Sequence, residues 1–269
     1  MSDGTRLREV LGRRHRLLSR LTDDPVDKPT LVQSLPVARS TVDRGIQDLE
    51  EVDCVERVDG KFRVSAAGRA ALDAFEWYAN ATDGVAKASH LLAYLPAEVT
   101  LPPAVLSGAG VEVADDHAPE QVIAPVGHAA RTADRVRATA PVLYTRYLET
   151  LHDAVTSGVE FEAVVARQVA ESAGDIDAER SEEIRESDHY KSYVTDAEMP
   201  YAVMLAEADG RWTLFVVVYD AGAPRGVVVN DAEAAVAWGR ERYRAVRDGA
   251  ELFAATGEPP DERVREARE

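Results

Sequence analysis

The chain has 269 residues, of which 45% are apolar but only 6% aromatic, enough aliphatic material for two domains of ordinary size. A formal net charge of -17 and a single cysteine, Cys54, exclude a uniformly basic nucleic-acid binder, a disulfide framework and a cysteine-rich zinc site. The longest apolar run, Trp212 to Tyr219, is strand length, and the first residues lack the apolar stretch of a secretory signal, so a cytoplasmic protein without a membrane partner is expected.

The charge is unevenly placed. Residues 1–65 hold 12 basic and 12 acidic side chains, so all of the excess acidity lies beyond them. Four lysines stand against 27 arginines, a surface that suits a salt-rich, halophilic cytoplasm. In chain order, Leu7, Val10, Leu11, Leu17, Leu18 and Leu21 form one face of a helix that Thr22-Asp23-Asp24-Pro25 stops. A short helix is expected from about Lys28 to Ser34, a tight turn at Leu35-Pro36-Val37, and a third helix from about Ala38 to Glu50 with Val42, Ile46 and Leu49 inward. Two strands around Asp59-Gly60 complete a hairpin beginning at Cys54. This order is that of a winged helix-turn-helix over 1–65. Its third helix offers Arg39, Ser40, Thr41, Asp43, Arg44 and Gln47 to a major groove, and its wing offers Arg57, Lys61 and Arg63 to phosphates, so double-stranded promoter DNA is the expected partner. The third helix has alanine rather than serine at its N-cap and Gly45 inside, each a cost of about 1 kcal/mol that packing must offset.

Residues 66–95 read as helix and Pro96, Pro102 and Pro103 as its end, so 66–103 is a connector whose apolar face is a candidate for homodimer formation. Over 104–250 strands and helices interleave. Strands are expected at 110–113, 136–143, 159–165, 201–206, 212–219 and 225–229. Helices are expected near 119–134, 144–157, 179–193 and 231–247. The fold class is therefore α+β or α/β, a winged helix followed by an α/β domain with a mixed sheet. Residues 251–269 read as a charged, disordered tail.

Leu35 to Glu50 resembles the helix-turn-helix of archaeal, especially haloarchaeal, winged-helix transcriptional regulators. Ala133 to Val142, Met199 to Leu205, Val218-Tyr219-Asp220, Arg225 to Asp231 and Trp238-Gly239 resemble the regulatory domain of the methanogenesis-regulator family. The resemblance spans about residues 5–250 and implies a dimeric DNA-binding regulator whose C-terminal domain senses an unknown small molecule. Tyr144, Arg146, Tyr147, Tyr201, Tyr219 and Arg225, near expected strand ends, are candidates for binding an anionic or planar effector.

Two other readings remain. The winged helix could serve as a protein-interaction module of the transcription machinery. His189-Tyr-Lys191-Ser-Tyr-Val-Thr-Asp196 fits the H-x-K-x4-D pattern of phospholipase D-like phosphodiesterases, but it occurs once and falls at the end of an expected acidic helix. Asp115-Asp116-His117 reads as a solvated loop before a metal site, and Cys54 as an inert buried thiol before a redox switch. Walker, dinucleotide and nucleophile-elbow motifs are all absent, so neither a cofactor nor an enzymatic activity is expected.

Overall fold

The computed structural model describes residues 3–115 and 117–253, which divide into two compact units, one reaching Thr82 and one starting at Asp83. The first unit contains α1 (Asp3–Ser19), α2 (Lys28–Ser34), α3 (Arg39–Glu50), β1 (Val55–Val58), β2 (Lys61–Val64) and the start of the long helix α4 (Ala66–Leu92). Asp27 caps α2 by accepting the Thr30 amide at 2.9 Å. The α3 N-cap, Ala38, makes no such bond. Packing holds α3 instead: Val42, Ile46 and Leu49 are buried against Leu17, Leu18 and Leu31. Gly45 belongs to this seam, because a β-carbon there would lie 2.6 Å from Leu17 Cδ2. The glycine that weakens α3 as an isolated helix is thus the residue that lets α1 close upon it. The wing turns at Asp59 and Gly60, whose φ angles of 51° and 79° suit a two-residue primed turn with Val58 opposite Lys61.

The second unit is a mixed sheet of eight strands with helices on both faces. Its elements are α5 (Pro103–Leu106), β3 (Gly110–Val113), α6 (Ala124–Thr132), β4 (Arg135–Ala140), α7 (Thr145–Thr156), β5 (Glu160–Ala166), α8 (Arg167–Ile176) and α9 (Ala178–Glu186). There follow β6 (Tyr190–Thr195), β7 (Tyr201–Ala208), β8 (Arg211–Asp220), β9 (Ala223–Asn230), α10 (Glu233–Arg247) and β10 (Glu251–Leu252). Strand order is β10-β6-β5-β4-β7-β8-β9-β3. β4, β5 and β6 run parallel, and β7, β8 and β9 form an antiparallel meander joined to β4. Strand alternation sorts the core: Val203, Leu205, Leu214 and Val216 face one cluster with α10, while Ala202, Met204, Phe215 and Val217 face another with α6.

Several expectations need correction. The helix drawn over 179–193 ends at Glu186, and residues from Tyr190 form β6, a strand packed on both faces. Leu101, within the expected connector, is buried, and just beyond it Val105 and Leu106 are buried and the Asn230 amide donates to the Val105 and Ser107 carbonyls at 2.8 and 2.9 Å. Glu251 and Leu252, expected in the tail, pair with Val194 and Tyr193. The rest of that tail, from residue 254, lies outside the described residues, as does Asp116 of the acidic loop.

Candidate nucleic-acid interface and ligand cavity

On α3 the spacing i, i+4, i+7 puts Ser40, Arg44 and Gln47 opposite the buried Val42, Gly45, Ile46 and Leu49. Arg39, Ser40, Thr41, Arg44 and Gln47 are exposed. The charged residues differ in how far they are engaged. Asp43 is held by the Lys28 ammonium, and Gln47 donates to Glu51 at 3.3 Å. Arg57 is tied to Glu50 at 2.7 Å and lies 5.0 Å from the centre of the Phe62 ring, and that carboxylate raises the affinity of its guanidinium for its proton. Arg63 is tied to Glu56 at 2.5 Å. Among the described residues, no hydrogen bond or ion pair engages Arg39 or Arg44. Of the nine positions expected to meet DNA, these two therefore present uncompensated cations beside the exposed Lys61 of the wing.

Cys54 is fully buried ahead of β1, and burial followed by the neighbouring Asp53 charge pushes its thiol up. Such a group is a packing element, not a thiolate poised for redox chemistry. Asp115 accepts the His117 amide at 2.8 Å, an ordinary loop turn, and no cluster of metal-ligating side chains occurs among the described residues.

The second unit holds a cavity of about 320 Å³ between the sheet and helices α6 to α9. Its floor is Ala138, Ala140, Ala163 and Ala202, from β4, β5 and β7. Its roof is Val126, Leu148, Val169 and Ile184, one from each of the four helices. The polar groups within it are mostly spent. Thr139 Oγ1 accepts the Val203 amide at 2.9 Å, Ser181 donates to the Ala173 carbonyl at 2.9 Å, and Arg131 donates to Thr150 at 3.0 Å. Arg185 is paired with Glu182. The Tyr147 and Tyr219 hydroxyls meet at 2.8 Å.

Of the six effector candidates, the cavity gathers Tyr147 and Tyr219 only. Tyr144 donates to the Gly222 carbonyl outside it, and Arg146 is exposed. Tyr201 faces Val218 in register, so it points to the opposite side of the sheet from Tyr219 and stacks near Trp238. Arg225 is bound to Asp220 at 2.9 Å and lies 5.1 Å from the centre of the Tyr94 ring. Residue spacing could not reveal the floor, because alanines carry no chemical signature.

Burial raises Tyr147 and Tyr190 to about 12 and Tyr219 well above the usual phenol value. Below pH ~10 the folded and unfolded chains both keep these protons. Above it the unfolded chain loses them first, so stability is lost as pH rises from about 10 to about 12. Urea unfolding near pH ~9 and near pH ~11.5 should differ by on the order of 1–2 kcal/mol per buried tyrosine, and Tyr147→Phe should reduce that difference by about one such step.

The phosphodiesterase-like stretch lies on a strand, not at the helix end where it was expected: His189 is exposed ahead of β6, Lys191 lies on the strand, and Asp196 follows its other end, bound to Arg167 at 2.8 Å.

Residues 3–85 match the HVO_A0261 N-terminal domain, and residues 119–249 match the middle domain of the methanogenesis regulatory protein FilR1. No curated protein matches the chain. Among solved structures, TrmBL2, described as an archaeal chromatin protein with a novel mode of DNA binding, is 12% identical over 90% of this chain and 92% of its own, with a TM-score of 0.43. Nuc of Salmonella typhimurium, a phospholipase D family member, is 16% identical over 54% of this chain and 99% of its own, with a TM-score of 0.41. NucT from Helicobacter pylori is 10% identical over 54% of this chain and 98% of its own, with a TM-score of 0.41.

Proposed function

We propose that this chain, which joins a match to the HVO_A0261 N-terminal domain to a match to the middle domain of the methanogenesis regulatory protein FilR1, regulates transcription by binding promoter DNA through α3 and the wing while the mixed-sheet unit senses a small molecule. The observation that carries this reading is the uncompensated pair Arg39 and Arg44 on the outward face of α3, within a stretch whose charges balance while the rest of the chain is acidic. An acidic body repels phosphate, so contact is confined to the neutral end. Ser40, Thr41 and Gln47 add hydroxyl and amide groups able to meet phosphates and adenine edges. Asp43 keeps Lys28 in place, and Arg57, Lys61 and Arg63 are the wing's phosphate contacts.

The experiment is selection of genomic DNA fragments by the full-length chain in molar KCl, followed by the same selection in the host by immunoprecipitation. Recovery of a shared sequence near promoters supports the reading. Recovery of no sequence at any salt overturns it and favours a winged helix that contacts protein. No described helix is long and apolar enough to cross a membrane, and the working site of the protein in this reading is the cytoplasm.

The reading includes a homodimer, since two half-sites demand two third helices. Trp77 and Tyr78 stand 57% and 61% exposed on α4, large apolar groups that a second copy would cover. Trp77→Glu with Tyr78→Glu should convert a dimer to a monomer in sedimentation velocity. An unchanged sedimentation coefficient would place the contact elsewhere. Catalysis is not part of the reading, and hydrolysis of a generic phosphodiester that disappears in His189→Ala would contradict it.

A further inference from the structure

The cavity has a chemical preference. On the cavity side β4, β5 and β7 set the small Ala138, Ala140, Ala163 and Ala202 among Phe161, Val165 and Met204, so small side chains on one side of the sheet leave much of the space. Large apolar groups close it from above, and Arg185, the cation on its lining, is already engaged by Glu182. A carboxylate placed there would lose its water without gaining a free cation, which costs several kcal/mol. A sugar would bury many hydroxyls against alanine and valine with too few partners. The tail that follows Phe253 at the rim is no better a filler, since Val264 is its one large apolar side chain. The Tyr147–Tyr219 contact is different: one hydroxyl donates to the other, which leaves the second hydrogen for a further acceptor.

We infer that the cavity takes an uncharged, mainly apolar small molecule carrying one hydrogen-bond acceptor, such as a ketone, ester or alcohol, which the Tyr147–Tyr219 hydroxyl pair anchors against the alanine floor. This rests on the sensing role proposed for the unit and gives that role its ligand class, in place of the anionic effector expected from the arginines at the strand ends. The volume of about 320 Å³ lies at the lower end of small-molecule sites.

The test uses the full-length chain and the neutral fluorophore N-phenyl-1-naphthylamine. Saturable binding of one fluorophore per chain is expected, with displacement by 2-nonanone at least roughly tenfold more effective than displacement by nonanoate or maltose. Ala163→Phe fills the floor and should abolish binding. Should that variant fail to fold, Tyr147→Phe with Tyr219→Phe supplies the second reading: fluorophore binding persists, while the ketone's advantage over nonane falls roughly fivefold through loss of one hydrogen bond. Absence of saturable binding, or equal displacement by nonanoate and 2-nonanone, overturns the ligand class. DNA affinity is measured in parallel. A chain that binds the ketone yet shows the same DNA affinity with and without it overturns the sensing role while supporting the ligand class. A chain that binds DNA but not the ketone overturns the ligand class alone.

Discussion

Replacing Arg39 and Arg44 together by alanine should weaken binding to the selected promoter site at least about thirtyfold at constant salt, whereas Arg57→Ala or Arg63→Ala should change it less than about fivefold. The difference follows from what each guanidinium must give up. Arg57 and Arg63 already hold carboxylates at 2.7 and 2.5 Å, so contact with phosphate exchanges one ionic partner for another. Arg39 and Arg44 lose only water. A base or phosphate contact by arginine contributes about 1–3 kcal/mol, and two such losses span roughly thirty- to twenty-five-thousandfold. Both side chains are exposed, so the unfolding midpoint should stay where it was, which separates lost contact from lost structure. Arg44→Lys refines the result. If Arg44 reads a guanine edge through two parallel bonds, lysine keeps the charge but loses specificity, and affinity for unrelated DNA barely changes. Unaltered promoter affinity in the double variant would remove α3 from the interface.

A second large effect is expected at Gly84, and it runs against the usual rule. Glycine to alanine inside a helix normally stabilises by about 1 kcal/mol. Gly84→Ala should instead destabilise by about 3 kcal/mol or more. A β-carbon at this position would lie 2.0 Å from the Leu106 carbonyl oxygen and 2.5 Å from its carbon. These are backbone atoms, and Leu106 is itself anchored among buried residues, so no flexible side chain can yield. Relief requires α5 to withdraw from α4, which also strains the bonds from Asn230 that hold Val105 and Ser107. Chemical unfolding of the full-length protein, followed by Trp212 and Trp238 fluorescence, gives the measurement. Neutral or improved stability would mean that the helix and the short turn do not touch as described.

How much of this could be read from the residues depends on the range of the forces involved. The winged helix was legible because its signals are local: proline at 25, the i, i+4, i+7 run of Val42, Ile46 and Leu49, and Asp59-Gly60. The meander β7–β8–β9 was legible for the same reason, being apolar runs split by short turns. β6 was not. Tyr190, Ser192 and Thr195 look polar in isolation, yet neighbours on both sides of the sheet bury the last two and half-bury the tyrosine. The burial of Leu101 escaped because a proline-rich stretch reads as a linker until its neighbour α5 is seen held by Asn230, more than a hundred residues on. On the DNA side, residue type selected nine positions, but only the carboxylate partners of Arg57 and Arg63 distinguish engaged from available charge. The cavity lay furthest from view, since Tyr147 and Tyr219 are 72 positions apart and pleat direction alone separates Tyr219 from Tyr201.

The two residues of β10 have a role out of proportion to their number. By pairing with Val194 and Tyr193 they turn β6 from a border of the sheet into an interior strand. Unpaired strand borders recruit other chains through their free amides and carbonyls. A protein shortened to Ala250 would offer the borders of many copies to one another along a buried-type sequence, Ser-Tyr-Val-Thr, and its failing would be self-association through β6 instead of loss of the fold. Proteolytic trimming beyond Phe253 should leave a monodisperse protein, and trimming before Glu251 a sticky one.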